Sequence, residues 1–320
     1  MIRYVIKRLL IMIPILLGIS LIVLVLIDLS PGDPVRIIMG STGEEEDYER
    51  IREELRLNDP LPVRYYHFVL GVLQGDFGKS FTNKRPVGAD IAERFPYTFI
   101  LATLSVALSA LIGIPLGVYA ATHQYSWRDN AATFLSLFCV SMPAFWFALL
   151  IVQLFSVNLG WLPVSGIQKW QGWILPVVSL ALGYAAAITR QMRSNMLEVI
   201  RQDYIVTARA KGQNERKVLY RHALKNALIP VVMTVGALYG MALGGALIAE
   251  MIFSLPGLGS FALGGLTQRD YPVIQGSVLL MSTIFCIIML LIDIAFAFID
   301  PRIRSQYVRR RTRSRGGVEA

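Results

Sequence analysis

Polar and apolar positions along this chain separate into long blocks. Leu9 to Ile27 contains no charged residue, and similar apolar runs cover Tyr97 to Ala121, Ala131 to Val157, Trp173 to Thr189, Leu228 to Ala249 and Gly276 to Ile299. A bilayer core takes about 20 apolar residues in a helix. Each run therefore predicts a membrane-crossing helix, and the even count puts both chain ends on one side.

The polar blocks carry patterns of their own. After Thr42-x-x-Glu45, spaced as a capping box, Tyr48, Ile51 and Leu55 recur as one face of a helix that Asn58-Asp59-Pro60 stops. Tyr65, Phe68, Val69 and Val72 mark a second short helix, ended by Gly75. This segment, 28–96, either caps a pore mouth or docks an external protein. The block from Arg190 to Ile229 is too polar for a span and too long for a turn. Leu197, Ile200, Tyr204, Ile205 and Ala208 predict a short amphipathic helix, broken at Gly212. Asn214 can cap a second helix, Glu215 to Ala227, that enters the fifth span at Pro230. A helix–glycine–helix elbow joined stiffly to a span can transmit force; a lipid-facing loop has the same composition.

Composition agrees with a membrane protein. The 320 residues are 54% hydrophobic and 17% charged, against roughly 25% charged in soluble domains. The net charge of +9 raises nucleic-acid binding, but the placement of the cations argues for a topology signal instead. Arg3, Lys7 and Arg8, Arg128, the basic residues of 190–225 and the arginines from Arg302 onward all fall on one side of a six-span chain. The opposite short loops hold Lys169 and Arg269. Positive charge marks the cytoplasmic side, so both termini and the elbow are expected in the cytoplasm and 28–96 outside. The tail Arg309-Arg310-Arg311 is expected on anionic lipid or disordered. The first apolar run is long for a signal core and is followed by Asp28-Leu29-Ser30-Pro31 rather than a small-residue cleavage site, so it is read as a retained span.

Candidate chemistry is sparse. Cys139 and Cys286 lie in apolar runs, and His67, His123 and His222 lack metal-ligand spacing. Gly75-Asp76-Phe77-Gly78-Lys79-Ser80 imitates a phosphate-binding loop, but Leu73 stands where the first glycine is required. Gly236, Gly240 and Gly244, with Gly245 beside them, fall on one helix face, as do Gly113 and Gly117; such faces serve ordinary packing or a sliding partner. Pro115 and Pro143 can kink spans two and three. Glu250, closing span five near the outer interface, and Asp293, near the inner end of span six, are intramembrane acids and hence candidate pathway residues. No paired acids or His/Cys pair suggest intramembrane catalysis.

The elbow resembles the coupling loop of ABC importer permeases. Val206, Thr207 and Ala208 occupy the positions of its E-A-A pattern, Gly212 its glycine, and His222, Leu224 and Lys225 its later I-x-L-P. The acid and proline are missing. That departure is similar to the first permease subunit of dipeptide, oligopeptide and nickel importers, read as Gln202-Asp203-Tyr204, Thr207 to Gly212, His222 to Ala227 and Pro230. Further segments in the style of that subfamily are Pro31-Gly32-Asp33-Pro34, Gly75 to Gly78, Gly113 to Gly117, Leu162 to Gly166, Glu250 through Gly259, Arg269 to Pro272 and Asp300-Pro301-Arg302.

The resemblance implies an all-α polytopic membrane protein with six transmembrane helices, a structured external loop after the first and a cytoplasmic coupling elbow between the fourth and fifth. It divides into 1–27, the external region 28–96, a transporter core 97–300 with the elbow at about 190–229, and a basic tail 301–320. It also implies a second permease subunit, two ATPase subunits and an external solute-binding protein, in the cytoplasmic membrane with its lipids. ATP and Mg are expected on the ATPases, with no cofactor or enzymatic step in this chain. Tyr204, Thr207, Ala208, Arg209, Ala210, Lys211, Gly212 and His222 are the expected coupling residues. The cargo implied is a di- or oligopeptide, with nickel or a metal chelate as the alternative within the family. An ion-coupled secondary transporter is the rival class; it wants acids or broken helices in paired halves, and no such repeat is visible.

Overall fold

A computed structural model describes residues 2–29, 34–39, 45–167, 169–244 and 246–299. Among them there are helices and one isolated bridge, Lys79 to Pro86, and no named strand. The basic tail, Thr42 of the capping box, most of Pro31-Gly32-Asp33-Pro34, Gly245 and the Asp300-Pro301-Arg302 segment lie outside the described residues.

The first crossing is α1, Ile2–Leu29. Three short helices follow: α2 (Pro34–Met39), α3 (Glu45–Glu54) and α4 (Leu61–Leu73). Helix α3 stops at Glu54, before the expected Asn58-Asp59-Pro60, and the chain turns through Arg56 at φ 54°. Gly75, at φ +81°, ends the turn after α4 as expected.

The second crossing, α5, runs unbroken from Val87 to Thr122 through Pro96 and Pro115, ten residues earlier in its start than the apolar run indicated. Its early turns carry Asp90, Glu93 and Arg94, which hid them from a hydrophobicity reading. Helix α8, Ile174–Ile200, likewise extends past the expected end at Thr189. These two rods make the longest packed seam in the fold.

The expected third span is not one helix. Helix α6 (Trp127–Ser141) and α7 (Ala144–Val152, continued by a π turn Gln153–Asn158) are bent by 99°. Met142 is extended at ψ 131° and Pro143 has no N–H to continue the ladder. The pair still runs along much of the length of α8. Its start is pinned to Arg193 on α8 by Asp129, while Ala148, Ile151 and Val152 pack with Leu175 and Val177 at the other end of α8. Arg193 and Leu175 are 18 residues apart, about 27 Å along a helix axis. With the five single helices long and apolar enough to span a membrane, the described residues hold up to six candidate crossings.

Helix α9 (Asp203–Ala210) forms the elbow's first arm. The predicted amphipathic helix is in fact split: Leu197 and Ile200 end α8, and Gln202, extended at ψ 148°, starts α9. A continuous rod then runs from Glu215 to Leu243, built of α10 (Glu215–Lys217), a π turn (Val218–Ala223) and α11 (Leu224–Leu243). Span five therefore ends at Leu243, short of Ala249. Beyond it lie α12 (Leu247–Ile252), α13 (Leu258–Gln268) and the last crossing α14 (Tyr271–Ile299).

Candidate functional site

On the elbow side of the molecule, α9 is docked by its small inward face. Ile205 and Ala208 are buried among Ile188, Met192 and Met196 of α8 and Val218, Ala223 and Ala227 of the rod. The remaining α9 side chains, Asp203, Tyr204, Val206, Thr207, Arg209 and Ala210, are exposed, as is Lys211. Polar ties brace the arm from both ends. Asn226 Nδ2 donates to the Tyr204 hydroxyl at 2.7 Å, and His222 Nε2–H donates to Gln213 Oε1 at 2.9 Å. Arg209 grips both oxygens of Glu215, at 2.6 and 3.1 Å. Hydrogen bonding to that carboxylate, opposed by partial desolvation, holds the Arg209 guanidinium above its usual pKa.

Gly212 turns the chain between the two arms at φ +73°, the left-handed region that favours glycine. Its amide donates to Arg209 O at 2.9 Å, and Asn214 Oδ1 then accepts from the Arg216 amide at 3.0 Å, capping the rod. No atom lies within 4 Å of where a Gly212 Cβ would sit, so the requirement for glycine is conformational rather than steric. All eight elbow residues read from the sequence fall in this one region; Asn226, Gln213 and Glu215, which brace it, were not singled out because isolated polar residues on a helix surface or in a turn carry no signal of their own.

Glu250 does not close span five in contact with water. It lies on α12 and is completely buried. Thr98 of α5 donates its hydroxyl to Glu250 Oε1 at 2.6 Å, and the Ser260 amide donates to Oε2 at 2.9 Å. The Leu258 amide in turn donates to Thr98 Oγ1 at 2.8 Å. Helix α13 begins at Leu258 after Gly257, whose side chain can cap nothing. Glu250 and Thr98 satisfy its free amides instead, and a Cβ on Gly257 would collide with the Glu250 carboxyl group. The carboxyl group of Glu250 thus lies directly against the Gly257 turn, and its burial corrects the interfacial reading.

Asp293, on α14, is also occupied. Its Oδ2 takes Arg8 Nε of α1 at 2.7 Å as well as the neighbouring guanidinium nitrogen, joining the first and last crossings.

The glycine stripe divides. A Cβ on Gly236 would strike Ile292, and one on Gly240 would lie 2.9 Å from Phe285 Cδ2, both on α14. Gly244 is instead the residue after the last turn of α11 and faces only its own helix's carbonyls. Gly113 and Gly117 face α8: a Cβ would lie 2.8 Å from Ala185 O at the first and 2.5 Å from Met192 Cβ at the second. These four glycines seat neighbouring helices of this same chain.

Residues 113–305 match the family model described as the inner membrane component of binding-protein-dependent transport systems, and residues 1–102 match the model of its N-terminal membrane part. The glutathione transport system permease protein GsiC of Salmonella choleraesuis (strain SC-B67) is 42% identical over 304 residues, covering 95% of this chain and 99% of that one. GsiC of Pectobacterium atrosepticum is 42% identical and that of Escherichia coli (strain K12) 40%, with the same coverage. Among solved structures, an inward-facing MetNI methionine ABC transporter superposes with a TM-score of 0.57 over 66% of this chain and 96% of that one, at 18% identity, a likeness of fold alone. With both family models accounting for nearly the whole chain, it belongs to the binding-protein-dependent transport permeases, as an ABC importer permease of the peptide/nickel family.

Proposed function

We propose that this chain forms half of a translocation pathway for short peptides of the glutathione type, driven by separate ATPase subunits that seat on the α9 elbow. The observation carrying the mechanism is the elbow's construction. Its inward face is locked to α8 and to the rod that becomes α11, while Tyr204, Val206, Thr207, Arg209, Ala210 and Lys211 stay exposed for a partner. A push on α9 therefore moves two crossings together, because the arm cannot yield separately from either. The names of its relatives favour a glutathione-like cargo over nickel.

In this reading ATP and Mg are held by the ATPases, a second permease completes the pathway, and an external binding protein delivers cargo. The cation distribution supports a cytoplasmic elbow and cytoplasmic termini in a cytoplasmic membrane. Ion-coupled transport finds less support. An ion-coupled transporter wants acids whose charge state changes with cargo, whereas Asp293 is tied to Arg8 and Glu250 to Thr98 and backbone amides.

The test is uptake by vesicles containing the whole complex, with radiolabelled glutathione, a dipeptide and nickel compared. Uptake of glutathione that needs ATP on the elbow side and survives an uncoupler is the expected result. Uptake that collapses with the uncoupler and ignores ATP would refute the reading.

A further inference from the structure

Helix α4 lies within the segment 28–96 expected outside, and its contacts run down along α1. The Tyr65 hydroxyl donates to the Leu17 carbonyl at 2.7 Å and lies 3.1 Å from Ser20 Oγ, both on α1. The apolar run of α1 ends at Ile27, ten residues beyond Leu17, which is about 15 Å along the axis. A tyrosine side chain is shorter than that. The backbone of α4 at Tyr65 therefore lies below the level where α1 leaves the hydrocarbon. Arg64, next in sequence, reaches the other way, to Asp28 at the end of α1, with Nη1 to Oδ1 at 2.5 Å. A cation stretching outward beside a tyrosine reaching inward is the arrangement of a helix held just beneath the surface.

The free face of α4 fits that depth. Val63, Tyr66, Leu70 and Leu73 are exposed, Tyr66 at 61% and Leu73 at 78%. At 100° per residue they fall within about 80° of arc, opposite Tyr65, Phe68 and Val72. Residues 61–73 hold no acid and no lysine, and their single arginine is paired with Asp28. Exposed His67 stands edge-on to Tyr66, ring centroids 5.8 Å apart, a pair suited to the headgroup boundary. Ile22, Leu26 and Leu29 of α1 are likewise exposed apolar side chains. A helix satisfies its own backbone in lipid, and Pro60 and Pro62 at the start of α4 have no amide to satisfy.

We propose that α4 is an interfacial membrane helix whose Val63–Tyr66–Leu70–Leu73 face takes the acyl chains of the leaflet opposite the elbow. It lies along that leaflet and leans on α1. This reading is independent of the cargo and of the direction of transport.

The experiment uses the unaltered chain in native membrane vesicles carrying a phospholipid with a photoactivatable diazirine in its acyl chain. After irradiation, adducts are mapped by mass spectrometry, with Ile22 and Leu26 of α1 as the internal standard and α3 as the aqueous control. Adducts on residues 63–73 at yields comparable to α1 and well above α3 are expected; absence of adducts there while α1 is labelled overturns the proposal. As a second measurement, nitroxides at Leu70→Cys and Leu73→Cys, in a chain with Cys139→Ser and Cys286→Ser, are relaxed by oxygen and by a water-soluble nickel chelate. Relaxation favouring oxygen supports the lipid contact. Relaxation favouring the chelate, or shielding from both as a protein occupant would give, overturns it.

Discussion

Thr98 and Glu250, 152 residues apart in sequence, share a hydrogen bond of 2.6 Å that ties the second crossing to the start of α13. The same hydroxyl accepts the Leu258 amide, so one side chain closes a circuit from α5 through α12 to α13. The carboxyl group here replaces the capping side chain that Gly257 cannot supply.

Removing either member leaves buried groups unpaired. Thr98→Val is expected to lower stability by about 1–3 kcal/mol, and Glu250→Ala by at least as much. Glu250→Gln keeps one acceptor oxygen but presents an amide nitrogen to donors, so it too should unfold at a lower temperature and transport more slowly. Thermal unfolding in detergent, with uptake measured in parallel, checks this; unchanged unfolding in Thr98→Val would show the circuit to be dispensable.

At Gly212 the backbone sits at φ +73° with open space around it. Gly212→Val should therefore strain the turn by about 1–2 kcal/mol or more without a clash, abolishing coupled uptake while leaving membrane insertion intact. Gly212→Asn, which tolerates left-handed backbone, should retain most activity. Normal uptake by the valine variant would count against the elbow as a transmitter.

The seam between α5 and α8 is set by backbone approach. A methyl group at Gly117 would press on Met192 Cβ and on Thr189 O, the latter 2.7 Å away. Gly117→Ala should destabilise by about 1–3 kcal/mol. Gly183→Ala, with nothing within 4 Å of the added carbon, serves as the control and should be nearly neutral. Equal melting temperatures for the two variants would contradict the close packing.

Arg8 and Asp293 hold the first and last crossings together. Arg8→Ala leaves an acid at the membrane margin without its cation, so it should be more damaging than Arg8→Ala combined with Asp293→Ala. A double-mutant cycle read by thermal unfolding is expected to give a coupling of about 0.5–3 kcal/mol. Strict additivity would mean the pair contributes nothing.

Six apolar runs, the elbow glycine and two of the three short helices of 28–96 were legible because each depends on local composition: a span needs apolar length, a left-handed turn needs Gly212, a short helix needs one apolar face; α2, Pro34–Met39, was not among them. The limits of those elements were less legible. Charged early turns of α5 and late turns of α8 belong to helices that leave the bilayer, where hydrophobicity gives no warning. Pro143 was visible as a kink, and the residue before a proline favours extended backbone, as Met142 shows, but the 99° angle between the two arms was not legible.

The sequence by itself determined that this chain crosses a membrane, how its charges are apportioned to the two sides and where its elbow bends, since all three follow from solvent preference and local backbone chemistry. Only the tertiary structure decided that Glu250 is buried on Thr98, that Asp293 belongs to Arg8, that the glycines seat neighbouring helices, and that Tyr65 reaches Leu17. Those pairings join residues 45 to 285 positions apart, and a long-range partner is fixed by how rods pack, which no local pattern records.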